Sequence, residues 1–209
     1  MSKPLAAVAL LGLLAGCVNT PPTVGEQGPT LKDEGAEQAY QNVLARYSSR
    51  QEIYDGFDTR LFAGATLQTL AFREARVRRR AAFQALPQAK VDELLAQERA
   101  EAAQSHTFFL GTHANDYKYQ DFDFKNSIWR VALVTPAGEV TPSRVRRLGR
   151  ADLEMRAYYP YTGVFWVGYE VQFPLAFSNG QPVIPPDTQQ VTLRLASTLG
   201  QAELTVNAR

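Results

Sequence analysis

The chain has 209 residues, with 22 lysines and arginines against 21 aspartates and glutamates, for a net charge of +1. That balance gives no net pull toward nucleic acid or an acidic surface, so no nucleic-acid partner is expected. A hydrophobic content of 45% with 11% aromatics excludes a disordered chain and predicts one domain of ordinary size with a buried core.

The chain opens MSKPLAAVALLGLLAGC. Lys3 supplies a positive start, Leu5 to Leu14 form an uncharged apolar stretch, and small residues precede Cys17, the single cysteine. This is the layout of a secretory signal. It is too short to cross a bilayer core, which needs ~20 apolar residues. Leu14-Ala15-Gly16-Cys17 resembles the lipobox of bacterial lipoproteins at all four positions. The resemblance implies a diacylglycerol on the Cys17 sulfur, cleavage before Cys17 and acylation of the new amino group. Three acyl chains, at ~0.8 kcal/mol per buried methylene, make a stable anchor where one is marginal. Val18 stands where an aspartate would resemble the inner-membrane retention signal. The expected location is therefore the outer membrane, lipid-anchored, with the domain in the periplasm. The resemblance covers the signal only and assigns no family to the domain behind it. Losing Lys3 leaves a neutral mature chain, and lipidation of Cys17 leaves neither a free thiol nor a disulfide.

Three segments follow: a signal peptide over 1–16, a lipidated cysteine and flexible tether over 17–31, and a single domain over 32–209. The tether, VNTPPTVGEQGPT, is rich in Pro, Gly and Thr. Lys32-Asp33-Glu34 marks a helix start with acid in the first turn, and Ala39, Val43 and Tyr47 give its apolar stripe. From Ile53 the period becomes two, predicting one strand over about 53–66 with Ile53, Phe57, Leu61, Ala63, Ala65 and Leu67 on one face, interrupted at Asp55 and Thr59. Strong helix formers then predict a helical hairpin over about 67–103, divided at Pro87. Its first half carries Arg73, Arg76, Arg78, Arg79 and Arg80, its second Asp92, Glu93, Glu98 and Glu101. Facing complementary charge is the simple consequence; contact with lipid phosphates is the alternative.

The remainder, 105–207, reads as short strands separated by turns. HTFFLG and SIWRVALV are rich in aromatic and β-branched residues, and another strand is predicted around Val140 to Leu148. VFWVGYEVQFPL alternates, with Phe165, Val167, Tyr169, Val171, Phe173 and Leu175 on one face and Trp166, Glu170 and Gln172 on the other. Asn179-Gly180 marks a turn, and two last strands meet at Gly200. The predicted class is α+β: mainly an antiparallel β-sandwich of immunoglobulin-like architecture, with an N-terminal helix and an inserted helical hairpin.

Catalytic constellations are sparse. His106 and His113 belong to no metal spacing, and no Gly-x-Ser-x-Gly or Ser-x-x-Lys occurs. His113, Asp116, Asp121 and Asp123 share one loop that lacks the regular ligand spacing of a calcium site, so a polar loop is the better reading. No catalytic residue, metal or other cofactor is assigned. Aromatics crowd two stretches, Tyr117 to Phe124 and Tyr158 to Tyr169. Trp166 falls opposite the apolar face, so it is either exposed or covered by the helical hairpin. With Tyr158, Tyr159 and Tyr161 it forms the candidate anchor for a protein or glycan partner. Trp129, alternating with Val131 and Leu133, is expected in the core. The functional expectation is an anchored lipoprotein acting without catalysis, as an interaction or assembly component with an envelope protein partner. The alternative is a lipoprotein holding an apolar or glycan ligand between sheet and hairpin, and a hydrolase ranks behind both.

Overall fold

A computed structural model describes residues 28–209. The signal, Cys17 and most of the tether lie outside the described residues. Among those residues, four α-helices and nine strands form an α+β fold with two antiparallel sheets. None of the helices is long and apolar enough to cross a membrane.

Helix α1 (Glu34–Tyr47) begins where Asp33 accepts the Ala36 N–H at 3.0 Å, with Glu34 and Glu37 in its first turn. Its buried face is Tyr40, Leu44 and Tyr47; of the expected stripe Tyr47 is buried, Val43 half-buried and Ala39 exposed. The expected single strand over 53–66 is a hairpin: β1 (Ser48–Asp55) and β2 (Asp58–Leu67) turn at Gly56, whose φ is +61°. Phe57, placed by alternation beside Ile53, sits at the turn, fully exposed. The interruptions of the period at Asp55 and Thr59 flank this two-residue turn, and Phe57 between them carried the alternation across it.

The helical hairpin is α2 (Leu70–Gln84) and α3 (Gln88–Ala102), with Pro87 capping the second. Facing charge does join them: Arg73 and Arg76 reach Glu98 at 2.7 and 2.6 Å, and Arg99 reaches Glu74 at 2.8 Å. Strands β3 (His106–Ala114), β4 (Arg130–Thr135), β5 (Gly138–Val140) and β6 (Arg144–Arg150) follow. The one strand expected over 140–148 is thus two. Pro142, which lacks a ladder N–H, lies in the break between them, and the halves join different sheets. Helix α4 (Leu153–Tyr158), β7 (Val167–Phe173), β8 (Gln190–Ser197) and β9 (Gly200–Asn207) complete the chain. At Asn179-Gly180 the chain turns, but only a single bridge, Ala176 to Pro182, forms there.

The first sheet runs β1-β2-β3-β7-β6 and the second β5-β4-β8-β9. Alternate residues of both meet in one mainly aliphatic core: Leu61, Leu110, Val171 and Phe173 from the first sheet, Leu133, Leu193, Leu195 and Leu204 from the second. Each such side chain contributes roughly 1.5–3 kcal/mol by leaving water. Trp129 seals one end of this core, 5% exposed, stacked on Phe122 at 5.0 Å and donating its indole N–H to the Tyr119 carbonyl.

A strapped sheet face as the candidate interaction site

The outward face of the first sheet is covered, and its register explains how. Gly64 pairs with Gly111, Gly111 with Gly168, and Gly168 with Gly149, so four glycines cross β2, β3, β7 and β6 in one row. This trough receives the chain between β6 and β7, a loop whose base is closed by Ala151 N–H donating to the Trp166 carbonyl at 2.8 Å. A Cβ on Gly64 would lie 2.6 Å from the Tyr161 ring, one on Gly111 2.8 Å from Thr162, and one on Gly168 2.7 Å from Met155. The glycines are what let the strap lie flat on the sheet.

The four nominated aromatics belong to this strap, and three of them are buried in it. Tyr159 stacks on Phe109 with ring centroids 3.6 Å apart and planes within 3°. Tyr161 shares a hydrogen bond with the Thr66 hydroxyl at 2.8 Å. Trp166 is 8% exposed and packs edge-on against Tyr161 and near Phe62. Tyr158 is half-buried, its carbonyl accepting from the Tyr40 hydroxyl at 2.6 Å. Trp166 is thus buried, as one of its two expectations required, but neither exposure nor cover by the helical hairpin describes it: its packing partners are Tyr161 of the strap and Phe62 of the sheet. Phe165, assigned by alternation to the apolar face, is instead 67% exposed beside exposed Val164. Strand β7 runs only from Val167 to Phe173, and alternation has no force beyond either end, where Leu175 too is exposed.

Arginines hold the layer together. Arg79 is buried, and its guanidinium donates to the Ala157 carbonyl at 2.7 Å, to Glu37 at 2.6 Å and to the Pro29 carbonyl at 3.0 Å. It also lies 4.3 Å from the Tyr40 ring centre. Arg76 donates to the Tyr159 hydroxyl and to Glu98. Burial pushes the Glu98 carboxyl up, but Arg76 and Arg73 together outweigh it and leave the group below the usual carboxylate range. Glu37 is likewise lowered: burial raises it, and its bonds from Arg79, Gln41 and Leu31 overcome that. Burial raises the hydroxyls of Tyr40, Tyr159 and Tyr161. The arginine run is thus paired and partly interior.

Two grooves stay open beside the strap: one of about 640 Å3 at Pro29, Gln41, Pro160 and Tyr161, and one of about 570 Å3 lined by Arg50, Glu52, Tyr54, Phe62 and Trp166. Tyr54 is well exposed and hydrogen-bonds Glu52. Next to this second groove, His113 sits between the rings of Phe62 and Phe165, 6.1 and 6.4 Å away. Its buried Nδ1 has no hydrogen-bond partner among the described residues. The groove residues on β1 and β2 escaped the sequence reading, because they become neighbours only once the hairpin at Gly56 is recognised. Asp55-Gly56 is the signal that was available.

The acidic loop does not gather. Asp116 accepts from Lys118 N–H, Asp121 accepts from Ser127 and the Ile128 N–H, and Asp123 lies 3.7 Å from Arg147. Among the described residues no three His, Cys, Asp or Glu side chains come together to hold a metal ion. Burial lowers the His106 imidazole, with no opposing charge on it. Compared with protein families, curated proteins and solved structures, the chain matches none of them.

Proposed function

We propose that this chain is an outer-membrane-anchored lipoprotein whose periplasmic domain works without catalysis, as an interaction or assembly component of the envelope. The observation that carries the reading is Phe165, 67% exposed at the turn of a strap whose other aromatics are packed. With exposed Val164 beside it, a large apolar side chain held out by a hydrogen-bonded loop is a ready anchor for a partner. The lipobox residues Leu14 to Cys17 supply the membrane attachment in this reading.

The domain is read as an immunoglobulin-like sandwich. With β2 to β9 taken as strands A, B, C, C′, D, E, F and G, the sheets run ABED and C′CFG, with β1 added beside A. The helical hairpin is then an insertion between A and B, and the strap is the D–E connection.

The test is a photo-crosslinking residue in place of Phe165 in the full chain, expressed in its own envelope. A discrete adduct that disappears when Cys17→Ser abolishes fatty-acid incorporation is the expected result. No adduct from the anchored protein would overturn the interaction reading. A Cys17→Ser protein that is still processed and still fractionates with membranes would overturn the anchor. A second reading, a glycan ligand, is favoured by the groove, where Tyr54, Phe62 and Trp166 lie beside the planar polar groups of Arg50 and Glu52. A change in Trp166 fluorescence on adding soluble envelope glycans, lost in Tyr54→Ala, would favour it.

A further inference from the structure

Strand β6 ends the first sheet. It pairs with β7 alone, and among the described residues no backbone hydrogen bond joins its outer edge to another segment. Its sequence, RVRRLGR, places Arg144, Arg146, Arg147 and Arg150 on that edge strand. The two inner arginines are partnered: Arg146 with Glu170 at 3.1 Å, and Arg147 with the Gln120 carbonyl at 2.9 Å and Asp123 at 3.7 Å. The outer two, Arg144 and Arg150, are exposed, and their guanidinia make no ion pair or hydrogen bond within the described residues. A polar groove of about 470 Å3 runs beside the strand, lined by Ser105, Thr107, Arg144, Arg146, Glu170 and Gln172.

Charged side chains on an open edge normally guard against strand pairing. Arginine guards selectively. A second copy of β6 would bring guanidinium opposite guanidinium, which is repulsive. An acidic extended segment would instead find unpaired backbone groups together with charge of the opposite sign at both ends of the strand. We propose that the β6 edge is a strand-addition site for an acidic, extended polypeptide segment of another protein, with Arg144 and Arg150 pairing its carboxylates. Main-chain bonds to the edge supply affinity, and the groove receives the side chains that point to the outer face. Neither Cys17 nor Phe165 takes part, so this site stands or falls apart from the anchor and the strap.

The experiment uses the full chain in detergent micelles and a fluorescent peptide about eight residues long to match a typical strand, with valines at its centre and two adjacent glutamates at each end, because Arg144 pairs with Gln172 on the outer face and Arg150 with Val167 on the inner one. The glutamate peptide should bind, and the same peptide with lysine for glutamate should not. Binding should slow amide hydrogen exchange over residues 144–150. The double variant Arg144→Ser/Arg150→Ser, both at exposed positions, should keep its unfolding midpoint and bind at least about tenfold more weakly. Equal binding of both peptides, binding without slower exchange over 144–150, or unchanged affinity of the double variant would each overturn the proposal. Slow exchange there without peptide, released by deleting residues 18–27, would overturn it too, because the chain's own N-terminal segment would then hold the edge. The same slowing by anionic phospholipid vesicles alone would replace the polypeptide with a membrane surface.

Discussion

The two cores of this domain are built on different chemistry. Between the sheets leucines and valines at alternate strand positions predominate, and of the buried aromatics among them only Trp129 and Tyr169 carry a polar atom, each donating to one backbone carbonyl. On the outer face of the first sheet lie Tyr40, Phe72, Phe109, Tyr159, Tyr161 and Trp166, with buried Arg73 and Arg79 beside them. An aliphatic side chain is content with any apolar neighbour of the right volume. A buried hydroxyl or guanidinium requires a partner at a particular place, and leaving it without one costs about 1–3 kcal/mol or more. The outer core meets that requirement with bonds spanning long stretches of chain: Tyr40 to the Tyr158 carbonyl, Tyr161 to Thr66, Arg79 to the Ala157 carbonyl. The aliphatic core sets the stability of the fold, and the outer one fixes which segment lies on which face.

The largest expected effects come from one tryptophan in each core. Trp129→Ala and Trp166→Ala should each lower stability by about 3–5 kcal/mol in denaturant titration, the cost of emptying a buried indole site. Alternation alone predicts a distinctly smaller loss at Trp166. A loss under about 1 kcal/mol there would mean that the strap peels from the sheet easily and that the outer layer is not a true core.

Those tryptophans also show where sequence reading succeeds. Trp129, Val131 and Leu133 alternate in and around a strand whose inward side is uniformly apolar, and their burial follows from the period. The last two strands, turning at Gly200, are legible for the same reason. The strap is not, because its fit depends on Gly64, Gly111 and Gly168 being neighbours. That is a matter of register between strands far apart in the chain. A glycine in a strand pattern signals some close approach without saying what approaches. Trp166 was singled out for its position opposite the apolar face; what covers that face could not be read from a period.

Next in size is Arg79. Arg79→Met keeps the apolar stem but removes its bonds to Glu37, Ala157 and Pro29, leaving a partly buried carboxylate without its cation. The expected loss is about 2–4 kcal/mol, below the full cost of a wholly buried pair because Glu37 keeps some contact with water. Adding Glu37→Gln should recover part of it. Full additivity of the two losses would show that Arg79 acts through packing alone. Smaller again is Gly64→Ala, whose new methyl would sit 2.6 Å from a Tyr161 ring carbon. It should cost about 1–3 kcal/mol, as overpacking does, while Leu193→Met between the sheets should cost less than about 1.5 kcal/mol. Reversal of that order would erase the contrast between a tolerant core and a specific one.

The smallest effect concerns the order of loss rather than its size. Glu37 and Glu98, both lowered by their arginines, belong to the helical layer over the outer core. A carboxyl held below its unfolded value contributes stability above that value, and the contribution is lost as pH falls through the folded value. The layer should therefore weaken as pH drops below about 4.3, the ordinary glutamate value. With one tryptophan per core and only two in the chain, Trp129→Phe leaves a reporter of the outer core and Trp166→Phe a reporter of the inter-sheet core. At neutral pH the two should report the same denaturant midpoint, because both cores share the first sheet. In acid the Trp166 signal should move first. Coincident signals at every pH would mean that the sheets cannot hold once the helical layer is lost, making the domain a single cooperative unit in acid as well.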